Sequence, residues 1–298
     1  MLSAVHSLKT SIFALVALAV AGAGVQNAVA QERNYGPCPC ESRGTLFQWS
    51  YGTSFSGGPD LSAPLVTDRP DFTEASSTVG RGVAQVEMGY TYTFDNDGAV
   101  TRSHSIGEPL VRYGIFADWL ELRFAYNYLD QQVNAVNNNG SQDIYLGLKI
   151  GLTPQEGILP EMALIPQMTV PTGDRPFTSG EVLPGLNLQY GWEINDWLST
   201  GGSTQFNRSL DGTLNAYTEW AQSWTIGYTL NDWLGAYTEF YGFFPSGAAD
   251  VRTETYFNGG FTVLLNNDVQ WDIRAGTGLN AAAADYFVGT GLSIRFGS

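Results

Sequence analysis

The sequence predicts an all-β protein: a transmembrane antiparallel up-and-down β-barrel of about 12 strands. Three observations carry this. Tight turns recur near residues 118, 156, 196, 232 and 268. Between them, apolar and polar residues alternate with period two, the mark of a strand with two unlike faces. The tight turns also alternate with longer polar stretches, whereas a soluble sandwich has no need to sort its connections by length.

Composition agrees. Of 298 residues, 43% are apolar, 13% aromatic and only 14% charged, against about 25% charged in ordinary soluble domains. The formal charge of -15 excludes nucleic acid as an expected partner, because phosphate binding needs a basic footprint.

Taken in chain order, residues 1–30 read as a signal peptide. Lys9 precedes an apolar run from Ile12 to Val25, shorter than the ~20 residues of a membrane helix. Ala28-Val29-Ala30 fits the small-x-small cleavage pattern. No later stretch is apolar for long enough to cross as a helix. The protein is therefore expected to be exported to the outer membrane and held there by strands. Cys38 and Cys40 flank Pro39. Two thiols so close cannot staple a fold, and an exposed pair in a tail is expected.

Residues 31–82 are rich in Gly, Ser and Pro and show no long period. They read as an irregular N-terminal segment, either a plug inside the barrel or a periplasmic linker. The barrel is expected over 83–298.

Its strands follow in order. Ala84, Val86, Met88, Tyr90, Tyr92 and Phe94 alternate with Gln85, Glu87, Gly89, Thr91 and Thr93. Leu120, Leu122 and Phe124 alternate with Glu121, Arg123 and Ala125; Leu146, Leu148 and Ile150 alternate with Tyr145, Gly147 and Lys149. Leu186, Leu188 and Tyr190 alternate with Asn187, Gln189 and Gly191, and the last strands set Trp271 and Ile273 against Asp272 and Arg274. Asn195-Asp196-Trp197-Leu198 returns 36 residues later as Asn231-Asp232-Trp233-Leu234. The long connections are expected at Asp95–Ser105, Asp130–Ser141, Pro171–Val182, Asn207–Leu214, Pro245–Thr253 and Asn280–Asp285. Trp119, Trp197, Trp233 and Trp271 fall at the tight-turn end as one aromatic girdle; Tyr92, Phe94, Tyr126, Tyr128, Phe243 and Phe244 form the other. Pro166 interrupts a strand and is expected to mark a bulge.

The closing run Tyr286, Val288, Thr290, Leu292, Ile294 and Phe296 resembles the C-terminal sorting signal of outer-membrane proteins, although here Gly297 and Ser298 follow the aromatic. Engagement of the barrel-assembly machinery through this strand is what that resemblance implies.

Thr67-Asp68-Arg69-Pro70-Asp71-Phe72-Thr73-Glu74 resembles the motif that opens an outer-membrane family named for a role in meta-cleavage phenol degradation. Val170-Pro171-Thr172-Gly173-Asp174 is similar to a second, weaker stretch of that family. The resemblance spans about Leu65 to Phe296. It implies an outer-membrane barrel with a transport role, with phenol-like solutes as the expectation.

Candidate lumen residues follow from the inward phase: Arg112, Glu121, Arg123, Asp143, Lys149, Glu193, Glu219, Glu239 and Arg274, with Glu87, Glu161, Asp272 and Arg295 in the same phase. They line a water-filled path or pair across a narrow barrel and close it. Asp68, Arg69, Pro70, Asp71 and Glu74 form the candidate plug motif. Pro70 keeps Arg69 extended, and alternation places Arg69 and Asp71 on one side. The expected function is a transporter or narrow channel for small, aromatic or hydrophobic solutes; a non-conducting, surface-binding barrel is the alternative. The expected partners are the lipid bilayer and a small-molecule solute, and no cofactor or metal is expected. Downstream of the signal segment, His104 stands between two serines in an expected loop; an outer-membrane hydrolase using it is the least favoured alternative, since such chemistry needs a base oriented by a third group.

Overall fold

The computed structural model describes Leu46 and residues 61–297. The expected signal segment 1–30, Cys38 and Cys40 lie outside the described residues. From residue 84 onward the chain is one antiparallel sheet of fourteen strand pieces. In order they are β1 (Ala84–Asp95), β2 (Thr101–Gly114), β3 (Leu120–Ala125), β4 (Tyr128–Val133), β5 (Val136–Ser141), β6 (Ile144–Thr153), β7 (Glu161–Val170) and β8 (Leu183–Asn195). There follow β9 (Leu198–Leu210), β10 (Ala216–Thr229), β11 (Leu234–Ser246), β12 (Glu254–Asn266), β13 (Val269–Gly278) and β14 (Tyr286–Phe296).

Fourteen pieces make twelve crossings. β2 pairs with β3 along one half and with β4 along the other. β3 and β4 are therefore one crossing interrupted at Tyr126 and Asn127. β6 pairs with β3 and β5 pairs with β4, so β5 and β6 are a second crossing interrupted at Gln142 and Asp143. β1 zips to β14 from Ala84↔Phe296 to Phe94↔Tyr286 and pairs on its other side with β2. That seam closes the sheet into a transmembrane barrel, and closure satisfies the backbone where no water can.

The repeated tight turns have a local cause. Asn195 Oδ1 accepts from the N–H groups of Trp197 and Leu198, both at 3.0 Å. Asn231 Oδ1 repeats this with Trp233 at 3.0 Å and Leu234 at 2.9 Å. An Asn that caps its own turn leaves the next two residues free to start a strand. Trp197, Trp233 and Trp271 are exposed at this end.

The two faces are chemically opposite. Outward lie exposed Leu122, Phe124, Met168, Leu186, Trp220 and Phe240. Inward, the largest fully buried side chains include Arg112, Lys149, Glu87, Glu121, Glu239 and Asp272. The lipid face is apolar and the interior is charged, the inverse of a water-soluble domain.

Several expectations are corrected. The stretches expected as loops at Asp95–Ser105, Asp130–Ser141 and Asn207–Leu214 are partly strand: β2 begins at Thr101, β4 and β5 form a hairpin, and β9 runs to Leu210. Their polar residues keep ladder hydrogen bonds where no lipid imposes an apolar face. β5 takes its ladder from β4, and the loop after β7 folds against it: Asp174 Oδ2 accepts from Ser141 N and Oγ, each at 2.9 Å. Pro166 marks no bulge. The β6–β7 register runs unshifted from Ile144↔Val170 to Gly151↔Ala163 and slips only between Gly151 and Thr153, because Pro removes a donor without adding a residue. Phe243 is not in the outer girdle. Its ring meets Phe72 edge-on inside the barrel, while its neighbour Phe244 is exposed on the outer face.

Candidate functional site

Residues 61–82 run through the inside of the barrel wall. Its first turn is tied at the tight-turn end: Leu65 N donates to Asn267 O at 2.8 Å, and Arg295 Nη2 donates to Leu61 O and Ala63 O, each at 2.9 Å. Its last turn is tied there too, through Thr78 Oγ1 to Asp118 O and Arg81 N to Asp118 Oδ1 at 3.0 Å. Between these ties the segment rises into the lumen.

Asp68 is the hub. Its carboxylate takes Arg123 Nη1 at 2.5 Å, Lys149 Nζ at 3.0 Å and Arg112 Nε at 3.3 Å. The Asp68 N–H in turn rests on Glu87 at 3.0 Å. Arg112 bridges Glu121 at 2.9 Å and Glu87 at 3.1 Å and also donates to Val66 O and Ser77 O. Lys149 Nζ donates to Ala75 O at 2.8 Å. Glu74 takes Arg123 at 2.6 Å, with Gln189 and Asn187 behind it. Burial would raise the Asp68 carboxyl, but Arg112, Arg123 and Lys149 outweigh it and hold it far below the usual carboxylate range. A buried charge survives only with partners of this kind.

Arg69 leaves on the other side. Its Nη1 donates to Glu108 at 2.8 Å, and its Nε lies 3.3 Å from Asp272. The guanidinium thus forks onto Asp272 through Nε and Nη2 and reaches Glu108 with Nη1. It fits because Gly89 and Gly291 face each other across the β1–β14 seam: a Cβ on either would strike the Arg69 guanidinium. Pro70, after a cis bond, offers its carbonyl to Arg274 Nη1 at 2.8 Å. Asp71 lies apart from Arg69, near Glu239; burial and that neighbouring carboxylate push its carboxyl well above the usual range. Glu239 accepts from Phe72 N at 2.8 Å, Thr73 N at 2.7 Å and Asn258 Nδ2 at 2.7 Å.

Arg112, Glu121, Arg123, Lys149, Glu239 and Arg274 are thus drawn together around the segment. Three of the expected lumen residues are not. Asp143 sits in the β5–β6 interruption and accepts from Gly173 N and from Ser179 N and Oγ. Glu193 is exposed at the tight-turn rim. Glu219 is half-buried near the long-loop end, under Tyr217 Oη at 3.2 Å. His104 lies on strand β2, not in a loop, and its Nδ1 is 2.7 Å from Tyr90 Oη.

Two functional groups escape the alternation. Glu108 follows Gly107 in a β-bulge, with φ of 41° and 87° respectively; the bulge turns Glu108 to Arg69 out of phase. A Gly-x-Pro triplet within a strand was its only signal. Phe72 is the second. A pocket of about 490 Å³ is lined by Glu108, Tyr126, Asn127, Asp143, Tyr145 and Phe177, among others.

The family described as "Putative MetA-pathway of phenol degradation" matches residues 67–296. No curated protein sequence matches the chain. Among solved structures, an outer membrane channel from Pseudomonas putida F1 superposes with a TM-score of 0.61 at 12% identity, covering 76% of this chain and 99% of that one. The NanC porin matches at a TM-score of 0.46 and 11% identity, covering 72% and 100%; the KdgM porin does so at 0.46 and 10%, covering 71% and 99%. The first of these likenesses shows the fold, that of an outer-membrane barrel.

Proposed function

The chain belongs to the family described as "Putative MetA-pathway of phenol degradation", and from that premise we propose that it is a gated outer-membrane transporter for small aromatic or hydrophobic solutes. The gate is the inner segment around residues 64–76, acting as a plug. In this reading residues 1–30 are a cleaved signal, the tight turns face the periplasm, and β14 engages the assembly machinery.

One observation supports the gate above all others: Arg69 is divided between Glu108 and Asp272, and Glu108 also lines the pocket on the long-loop side. A solute in that pocket lies against the carboxylate that holds the plug. Buried ion pairs are poor sources of net stability but costly to break one-sidedly. They suit a segment that must be specific in place yet not irreversibly bound.

Planar-bilayer conductance of the refolded full chain tests this. Arg69→Ala leaves two carboxylates unpaired and is expected to raise conductance, and phenol uptake into liposomes, while the barrel still assembles. Arg69→Lys is expected to restore closure only in part, since an ammonium cannot span two carboxylates as a planar guanidinium does. Unchanged conductance in both variants, with unchanged protease sensitivity of residues 64–76, would leave a tether in a non-conducting barrel.

A further inference from the structure

Phe72 is the one ring in a run of polar plug residues, and it stands where alternation provides no reason for it. Its ring lies 4.6 Å from that of Tyr241 at an interplanar angle of 8°. Tyr241 in turn lies 4.9 Å from Tyr256 at 14°. Three rings therefore stack nearly parallel, and Phe243 closes the side, edge-on to Phe72 at 5.4 Å and 87°. The far end of the stack is backed by the wall, where Tyr256 packs on Phe287 and Ala283. The near end is the plug's own ring, whose backbone is tied to the wall by Phe72 N donating to Glu239.

We propose that Phe72 is the protein's own occupant of a ring-binding site formed by Tyr241, Phe243 and Tyr256, and that a flat aromatic solute takes that site when the plug lifts. This rests on the gated reading above and specifies its solute. A lumen filled merely for bulk has no need of flat-on-flat geometry; Leu or Ile would fill it. Aromatic faces discriminate a planar ring from an equally apolar puckered one.

The site also bears on ring substituents. Glu239 and Asn258 are cross-strand partners one inward step below the Tyr241–Tyr256 pair. Asn258 spends its Nδ2 on Glu239, and its buried Oδ1 has no hydrogen-bond partner. An unpaired buried acceptor is costly, and a solute bearing a hydroxyl or amino donor relieves it. A carboxylate solute is disfavoured there by Glu239. The class is thus a small, neutral, flat ring carrying a donor.

The test uses ¹⁹F NMR of 4-fluorophenol with the full chain in detergent micelles, with 4-fluorocyclohexanol as the puckered control. Phe72→Ala empties the site, so 4-fluorophenol is expected to bind at least about tenfold more tightly than to the unmodified chain. Adding Tyr241→Leu is expected to abolish that gain, and the cyclohexanol is expected not to show it. Phe72→Leu replaces Phe72→Ala if heat-modifiable gel migration shows the latter unfolded; it keeps the bulk, loses the stack, and is expected to show part of the gain. Equal affinity in the unmodified chain and the Phe72 variant, an unaffected double variant, or equal binding of the puckered ring would each overturn the proposal. If Arg69→Ala opens the channel while Phe72 variants bind no better, the gate stands and the ring site falls. If Phe72 variants gain affinity while Arg69→Ala changes nothing, a ring site exists without a gate.

Discussion

Asp68 and Asp71 stand three residues apart on one segment and are shifted in opposite directions. Asp68 is held low by three cations, so its share of the anchoring is present above the ordinary carboxylate range and disappears only as pH falls through its depressed value. Asp71 is raised by burial and by Glu239, so the seated plug prefers it protonated. Its contribution is full below the ordinary carboxylate value of about 4 and is lost as pH rises through the raised one. Conductance is therefore expected to fall as pH is lowered through the raised Asp71 range and the plug seats more tightly. Asp71→Asn is expected to flatten that dependence and to lower conductance at the alkaline end. Bilayer recordings across the range check it; an unaltered slope in the variant would assign the titration to another group. The same scale explains the Gly89–Gly291 notch: two residues without side chains make room for a third residue's charge.

Strand β6 puts the two solvents of this protein one residue apart. Lys149 is fully buried because Asp68 and the Ala75 carbonyl receive it. Leu148 points the other way, paired across to Leu122 on the lipid face. Leu148→Arg is expected to cost about 2–4 kcal/mol, the midplane penalty for a cation facing lipid. Gly147→Ser, on the inner face, meets the hydroxyl end of Tyr145. That ring end can shift, so the expected loss is about 1 kcal/mol or less. Urea unfolding in lipid vesicles reads both, and equal losses would contradict the assigned faces. The β4–β5 hairpin lacks such a signature: Gln131, Gln132, Asn137, Asn138 and Asn139 show no alternation, yet they pair rung by rung.

For the whole molecule, the charged interior and apolar exterior make sense only in a bilayer, and the sorting of connections is the ground for the proposed orientation. The turn at 196–197 is two residues long, whereas the loop at 171–182 is twelve. With Cys38 and Cys40 replaced by Ser, a cysteine inserted after Gly212, in the long-loop set, is expected to label from outside intact cells. One replacing Asp232, in a tight turn, is expected to stay unlabelled. The reverse pattern would invert the orientation.

Much of this was legible in the sequence, because each strand of a barrel answers to the same local demand. Lipid outside and polar groups inside impose period two, and turn chemistry sets the spacing, so the strand phases, the tight turns and the inward charges Arg112, Glu121, Arg123 and Lys149 could all be read without coordinates. The motif at 67–74 marked the segment that lies inside the barrel and takes the inward charges. What only the tertiary structure decided is who meets whom. Ion pairing within the lumen joins residues far apart in the chain, as with Asp68 and Lys149 or Arg69 and Asp272, and period two carries no information about partners across a lumen. Glu108 was hidden because a bulge breaks the period that makes the rest readable. Phe243 was misplaced because consecutive aromatics leave the phase undecided until a ring from the plug selects one of them.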